Sequence, residues 1–390
     1  MSNANLYALK EKVKNFALSS GIDKIGFTDT RPLAEHLPRL LRRQEALYDG
    51  AIREGDPDKR INPALHLPGA QSVISVAIAY PAADSDPAQQ EAGPDRAGSP
   101  GRGEFSVISR GTDYHKVVME KLENLGRFIR SEVPGARTVA MTDKEEILEK
   151  AIAVRSGLGW FGKNHLLITP EYGSWVVLGE LITDIPFPAD RPVQGGCGSC
   201  TGCIEACPTG ALKEGHDLAL DRCLASLTLV KSAIPREIRG LMGSTVYGCD
   251  ICQKACPFNR DITAARHPEF SFDNEDAFPV LKDIIGMSNS QFRKRFGHIS
   301  GAWRGRNPIQ RNAIIAAGNL RDPETLPELI RVLEKDDRPV LRGAAAWALG
   351  RIGLYEGICA LEAALKREKH PEVLEEVRES LLNYPLANLE

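Results

Sequence analysis

Eight of the nine cysteines in this 390-residue chain fall within sixty positions, and their spacing restricts what that region can become. The segment GGCGSCTGCIEACPTGAL carries Cys197, Cys200, Cys203 and Cys207, with two, two and three residues between them and Pro208 after the last. Downstream lie Cys223, then Cys249, Cys252 and Cys256, followed by Pro257. Thiolates at two-residue spacing wrap one cluster. A fourth cysteine placed three residues on, before a proline, points away and in two-cluster ferredoxins serves the other cluster. The spacing therefore assigns Cys197, Cys200, Cys203 and Cys256 to one 4Fe–4S cluster, and Cys207, Cys223, Cys249 and Cys252 to a second. Paired Cys-x-x-Cys units also suit tetrahedral zinc, but the triplet with a trailing Cys-Pro is the ferredoxin arrangement. Cys359, in a helical repeat beside apolar residues, is expected in the core.

The second group is a spread copy of the first. Cys223 is separated from Cys249 by 25 residues of helical character, which bring side chains to a face beside the second cluster. Two such clusters move electrons. No dinucleotide fingerprint or P-loop accompanies them, so they feed another centre or a substrate directly.

The flanks are of two kinds. Leu6–Ser19 reads as an amphipathic helix, without the apolar core of an export signal, and no apolar run approaches the length of a membrane span, which predicts a cytoplasmic protein. SVISVAIAY and SWVVLGELITD read as buried strands, and TDYHKVVMEKLENLGRFIRSE as a helix. Together they predict an α/β layer arrangement. The Pro- and Gly-rich stretch PAADSDPAQQEAGPDRAGSPGRGEF reads as a surface loop. From Asn307 onward RNAIIAAGNLRDPETLPELIRVLEKDD returns as RGAAAWALGRIGLYEGICALEAALKRE at an offset of roughly 31–32 residues, with a degenerate third copy from Pro371, a pattern of paired helices like that of HEAT repeats.

The series GLGWFGKNHLLI, GSWVVLGE, CGSCTGCIEACPTGAL, YGCDICQKACPFN and RNAIIAAGN, in this order, resembles the epoxyqueuosine reductase family over nearly the whole chain. The resemblance implies a base-off cobalamin held in the N-terminal domain near the second cluster, an arrangement shared with reductive dehalogenases. It implies a two-electron reduction of epoxyqueuosine to queuosine at the wobble position of tRNA, with a protein acid protonating the leaving oxygen. The family's acid matches Asp143, which must stay protonated to act near neutral pH. The segment reads TDKEEILEK, where the family has small residues and a proline after the aspartate, so Lys144 favours the ionised form and Glu145 and Glu146 the neutral one. Tyr114 and His115 are the reserve donors. Arg60, Ser106, Asp113, Asp143, Asn164 and His165 are the expected cofactor contacts. A low-potential flavodoxin- or ferredoxin-type donor is the expected partner of a monomeric enzyme.

The net charge of −3 announces no nucleic-acid affinity, yet residues 284–321 hold seven Lys and Arg and no acid. A solvated helix face normally mixes signs. With the resemblance, which implies an anticodon stem-loop as substrate, Arg293, Lys294, Arg295, Arg304, Arg306 and Arg311 in this run, and Lys231 before it, are expected to track its phosphates, with Phe292, Phe296 and Trp303 available to an unstacked base. The resulting fold class is a multidomain α+β chain. Residues 1–190 are expected to form an α/β domain, which the resemblance makes the cobalamin-binding catalytic one, 191–265 a ferredoxin-like domain, 266–306 a basic connection, and 307–390 HEAT-like helices. The competing reading is a cytosolic corrinoid iron–sulfur reductase of a small molecule. A third, an electron carrier with a scaffold tail, needs no cobalamin.

Overall fold

The computed structural model describes residues 2–45, 55–81, 100–143, 146–215, 217–271 and 274–382. Most of the Pro- and Gly-rich loop (82–99), with Lys144 and Glu145, lies outside the described residues. Strands are numbered in chain order: β1 Lys24–Asp29, β2 Ser72–Ala79, β3 Glu104–Phe105, β4 Thr138–Met141, β5 Trp160–Phe161, β6 Leu167–Ile168, β7 Val176–Thr183 and β8 Thr245–Tyr247.

The main sheet has the order β1-β2-β7-β4, with every neighbouring pair antiparallel. β2 is buried along its whole length and β7 along nearly all of it, which explains their unbroken apolar sequence. One face packs the helices Asn3–Ser19 and Tyr114–Glu132 through Leu6, Val13, Val118, Leu122 and Ile129. The other packs the helix Glu149–Arg155 through Ile147, Ala151 and Ile152. Helices on both faces make three layers, with β7 central.

The N-terminal part and the cysteine region share a ladder. β3 pairs in parallel with β8, and Ser106 N donates to Tyr247 O at 2.8 Å. Gln253, on the short helix Ile251–Lys254, donates from Nε2 to Tyr80 Oη at 3.1 Å and Ser174 O at 3.0 Å. The cysteine region is thus clamped to the sheet by buried hydrogen bonds.

Five helices close the described residues: Arg306–Leu320, Leu326–Lys335, Pro339–Ile352, Tyr355–Arg367 and Pro371–Leu382. Their apolar faces join Leu224, Leu227 and Val246 in one continuous core. A side chain at Gly318 would collide with Trp347 and Ala348 at 2.8–2.9 Å, so glycine permits the close approach of the first and third helices. Two sequence expectations are corrected here. Cys359 is exposed, because Gly357, Ala360, Leu361 and Ala364 form the inward stripe of its helix. Arg311, expected on phosphate, is 1% exposed. Its guanidinium donates to Val230 O (2.6 Å), Ser232 O (2.5 Å) and Leu227 O (3.0 Å), while Asn312 Nδ2 reaches Thr228 O and Val246 O. This pair stitches the repeat array to the segment between the cysteine groups.

Candidate active site

The eight cysteines sort as their spacing suggests. Cys197, Cys200, Cys203 and Cys256 line one small pocket with Lys163, Asn164, Ile168, Pro257 and Phe258. The thiols of Cys207, Cys223, Cys249 and Cys252 act on one another electrostatically. Cys203 also acts on Cys252, so the two groups are near neighbours. Burial pushes the Cys249 thiol up to about 12 and Cys252 higher still, with the neighbouring thiols adding to the shift at Cys252. Buried thiols of this kind stay protonated unless a metal neutralises the thiolates, as iron does in a cluster. Eight thiols in two groups of four, with the triplet spacing and trailing Cys-Pro, suit a pair of clusters.

Beside the second group opens a cavity of about 1140 Å³. Cys249, Asp250, Gly248 and Tyr247 line it from the cysteine region, Ala225 and Leu229 from the insertion, and Ser106, Ile108, Tyr114, His115 and Asp143 from the N-terminal part. Trp303, 61% exposed, stands on its wall with Arg304 stacked against it at 4.3 Å. A second cavity, of about 390 Å³, shares Asp143, Ala225 and Leu229 with the first. It is lined by Arg39, Arg43, Arg60, Lys150, His165, Glu149 and Cys223.

The polar centre of the large cavity is built on one helix start. Asp113 caps the helix Tyr114–Glu132, accepting from His115 N at 3.1 Å, and also binds His115 Nδ1 at 2.6 Å. His115 Nε2 lies 3.3 Å from Asp143 Oδ2, which also accepts from Tyr114 Oη. Asp143 sits in the loop after β4 with φ +42°, and its amide donates to Glu149 Oε1. Behind it, Glu180 of β7 is fully buried, its Oε1 accepting from Ser75 Oγ.

These contacts fix where protons sit. Burial opposes charge on His115, but hydrogen bonds to Asp113 and Asp143 outweigh it and raise the imidazole to about 9. Burial would raise Asp143, yet the bonds from His115 and Tyr114 hold it below the usual carboxylate range. The expectation of a protonated Asp143 finds no support in these contacts: they favour the carboxylate on Asp143 and the imidazolium on His115, with one proton held between them. Glu149 is raised to about 8 by burial and by Asp143, and Glu180 well above the carboxylate range by burial and by Glu149.

Other expected residues scatter. Ser106 lines the large cavity, and Arg60 and His165 the smaller one. Asp113 supports His115 instead of facing the cavity, and Asn164 lies on the first cysteine pocket. Phe292 and Phe296 are core, at 3% and 0% exposure. Lys231, Arg293 and Lys294 are exposed, Arg295 pairs with Asp276 at 3.6 Å, and Arg306 donates to Met287 O at 2.8 Å. Glu149 and Glu180 escaped the sequence reading. The signal was present at Glu180, the single charge within the apolar run VVLGELIT.

A pair of four-thiol centres, one bordering a large cavity that also holds an acid–base group, defines an iron–sulfur oxidoreductase carrying a helical-repeat arm. Residues 60–144 match the epoxyqueuosine reductase QueG (DUF1730) family model, 196–259 the 4Fe–4S double cluster binding domain, and 305–382 HEAT repeats. Epoxyqueuosine reductase of Bacillus cereus is 43% identical over 96% of this chain and 97% of its own length. That of Escherichia coli is 34% identical over 95% and 97%. A crystal structure of epoxyqueuosine reductase with an epoxyqueuosine-modified tRNA-Tyr stem loop superposes with a TM-score of 0.90 at 43% identity, covering 97% of this chain and 99% of that one. The Bacillus subtilis enzyme, solved with an aspartate catalytic loop swung out of its active site, gives 0.90 at 43%, covering 97% and 100%. The chain belongs to the epoxyqueuosine reductase family.

Proposed function

We propose that this protein reduces epoxyqueuosine to queuosine at the wobble position of tRNA, inside the 1140 Å³ cavity. The observation that carries this reading is the shared wall. Cys249, a ligand of the second cluster, and the Asp143–His115–Tyr114 group face one space, so electrons and protons converge there. The reaction needs both: the epoxide takes up two electrons and two protons, both C–O bonds break, and an alkene and water remain.

The cavity suits a base-off cobalamin. Ile108, Ala225, Leu229 and Gly248 offer small or apolar surface to a planar ring, Ser106 and Gln253 offer partners to its amide rim, and Arg60 and Lys150 in the adjoining cavity match a phosphate tail. Held there, cobalamin would supply two-electron reduction at the substrate carbon. The chain's own part is protonic. His115 holds a proton that it shares with Asp143, and Asp143 passes it to the leaving oxygen as negative charge develops there. Tyr114 orients the carboxylate through its hydroxyl. Arg304 and the exposed Lys231, Arg293 and Lys294 hold the stem-loop phosphates, and Trp303 stacks on an unpaired base. The enzyme works as a monomer in the cytoplasm and takes electrons from a low-potential flavodoxin- or ferredoxin-type donor.

The test is anaerobic reconstitution with iron, sulfide and cobalamin, then turnover of an epoxyqueuosine stem-loop with a strong reductant. Queuosine detected by mass spectrometry supports the reading. A protein that takes up no cobalamin, shown by an unchanged visible spectrum, or that leaves the epoxide intact, overturns it.

A further inference from the structure

The first cysteine pocket contains one polar side-chain atom that the protein leaves unanswered. Asn164 is 5% exposed and lines this pocket with Cys197, Cys200, Cys203 and Cys256. Its Oδ1 accepts from Leu166 N at 3.2 Å, which fixes the amide's orientation. Its Nδ2 is buried and has no hydrogen-bond partner within the protein. A buried amide donor left unpaired costs about 1–3 kcal/mol, so such atoms call for a partner that the protein chain does not itself supply.

The surroundings are arranged for this amide. The β5–β6 turn closes through Gly162 N to Leu166 O at 2.9 Å, and His165 N donates to Gly162 O at 3.0 Å. A Cβ on Gly162 would lie 2.4 Å from Asn164 Oδ1, so glycine there makes room for the side chain. Lys163, the intervening residue, also lines the pocket, but its ammonium is paired with Glu214 at 2.5 Å, so the unanswered donor on this turn is the Asn164 amide.

We propose that Asn164 tunes the first iron–sulfur cluster, its side-chain N–H donating to a cluster sulfur and raising that cluster's reduction potential. This rests on the reading that Cys197, Cys200, Cys203 and Cys256 hold a cluster. A hydrogen bond to sulfur stabilises the more negative, reduced state, and the number of such bonds is one of the levers that set cluster potentials. The bond acts at the cysteine group that does not border the large cavity.

The experiment compares anaerobically reconstituted wild type with Asn164→Asp, which keeps the acceptor for Leu166 N and loses the donor, and with Asn164→Leu. Iron per chain is counted first, and both clusters are then titrated by EPR at controlled potential. Full iron loading with one cluster shifted to lower potential, more so in Asn164→Asp, and the other unmoved is the expected result. Two unshifted potentials in either iron-replete variant overturn the proposal. Loss of half the iron from both variants, with unchanged helix content, also overturns it, because Asn164 would then be needed for assembly instead of tuning. Absence of iron from reconstituted wild type would instead sink the cluster reading itself.

Discussion

His115 Nε2 stands 3.3 Å from Asp143 Oδ2, while the opposite ring nitrogen holds Asp113 at 2.6 Å. One imidazole is clasped by two carboxylates, so the proton belongs to the group and not to any one residue. With His115 raised to about 9, the proton is present below that pH and lost as pH rises through it. Turnover limited by chemistry should therefore hold through neutrality and fall above about 9. A pH–rate profile from single turnovers checks this, and His115→Gln should remove the alkaline limb along with most of the rate.

Asp143→Asn keeps an oxygen to accept from Tyr114 Oη but can neither share nor pass the proton. Iron content and cobalamin uptake should match wild type while turnover drops by about 10²–10⁴-fold. Full turnover in this variant would move the acid to Tyr114.

Glu149 accepts the Asp143 amide and thereby holds a backbone at φ +42°, a conformation that a non-glycine residue keeps only when restrained. Glu149→Ala should release the loop and lower kcat with little change in tRNA affinity. The folded-state value near 8 lies above the ordinary 4.5, so the folded protein binds the extra proton and stability declines as pH rises across that window. Glu149→Gln should flatten that part of the Tm–pH curve, measured by scanning calorimetry.

Arg311 and Arg293 should part company. Arg311→Ala strands the carbonyls of Leu227, Val230 and Ser232 and should cost about 3 kcal/mol or more in urea unfolding. The double change Arg293→Ala, Lys294→Ala should leave folding intact, weaken stem-loop binding and reduce its salt slope by about 1 per cation. An unchanged slope would remove these two from the RNA face.

The gathering of the cysteines into two groups was legible because it is encoded by local spacing, and the buried strands because β2 and β7 are apolar throughout. Arg311 was misassigned because a charge run does not disclose which helix face a later partner will cover. Its carbonyl acceptors lie some eighty residues earlier, beyond any periodicity. Asn164 was expected at the cofactor, and only the fold shows which pocket its turn enters. The proton distribution among Asp113, His115 and Asp143 was hidden for the same reason, since it depends on β4 delivering its loop to the start of a helix 29 positions before it.

The ladder between β3 and β8 carries a consequence for biosynthesis. Glu104–Phe105 is made early, but its partner Thr245–Tyr247 emerges some 140 residues later, and residues after Tyr247 supply Cys249 and Trp303 to the same cavity. On the ribosome the sheet can form while the cavity's far wall is still unmade. Completion of the cavity is therefore a late event in the life of the nascent chain, and a polypeptide halted before Tyr247 would present β3 as an open edge, a site for pairing with the wrong neighbour.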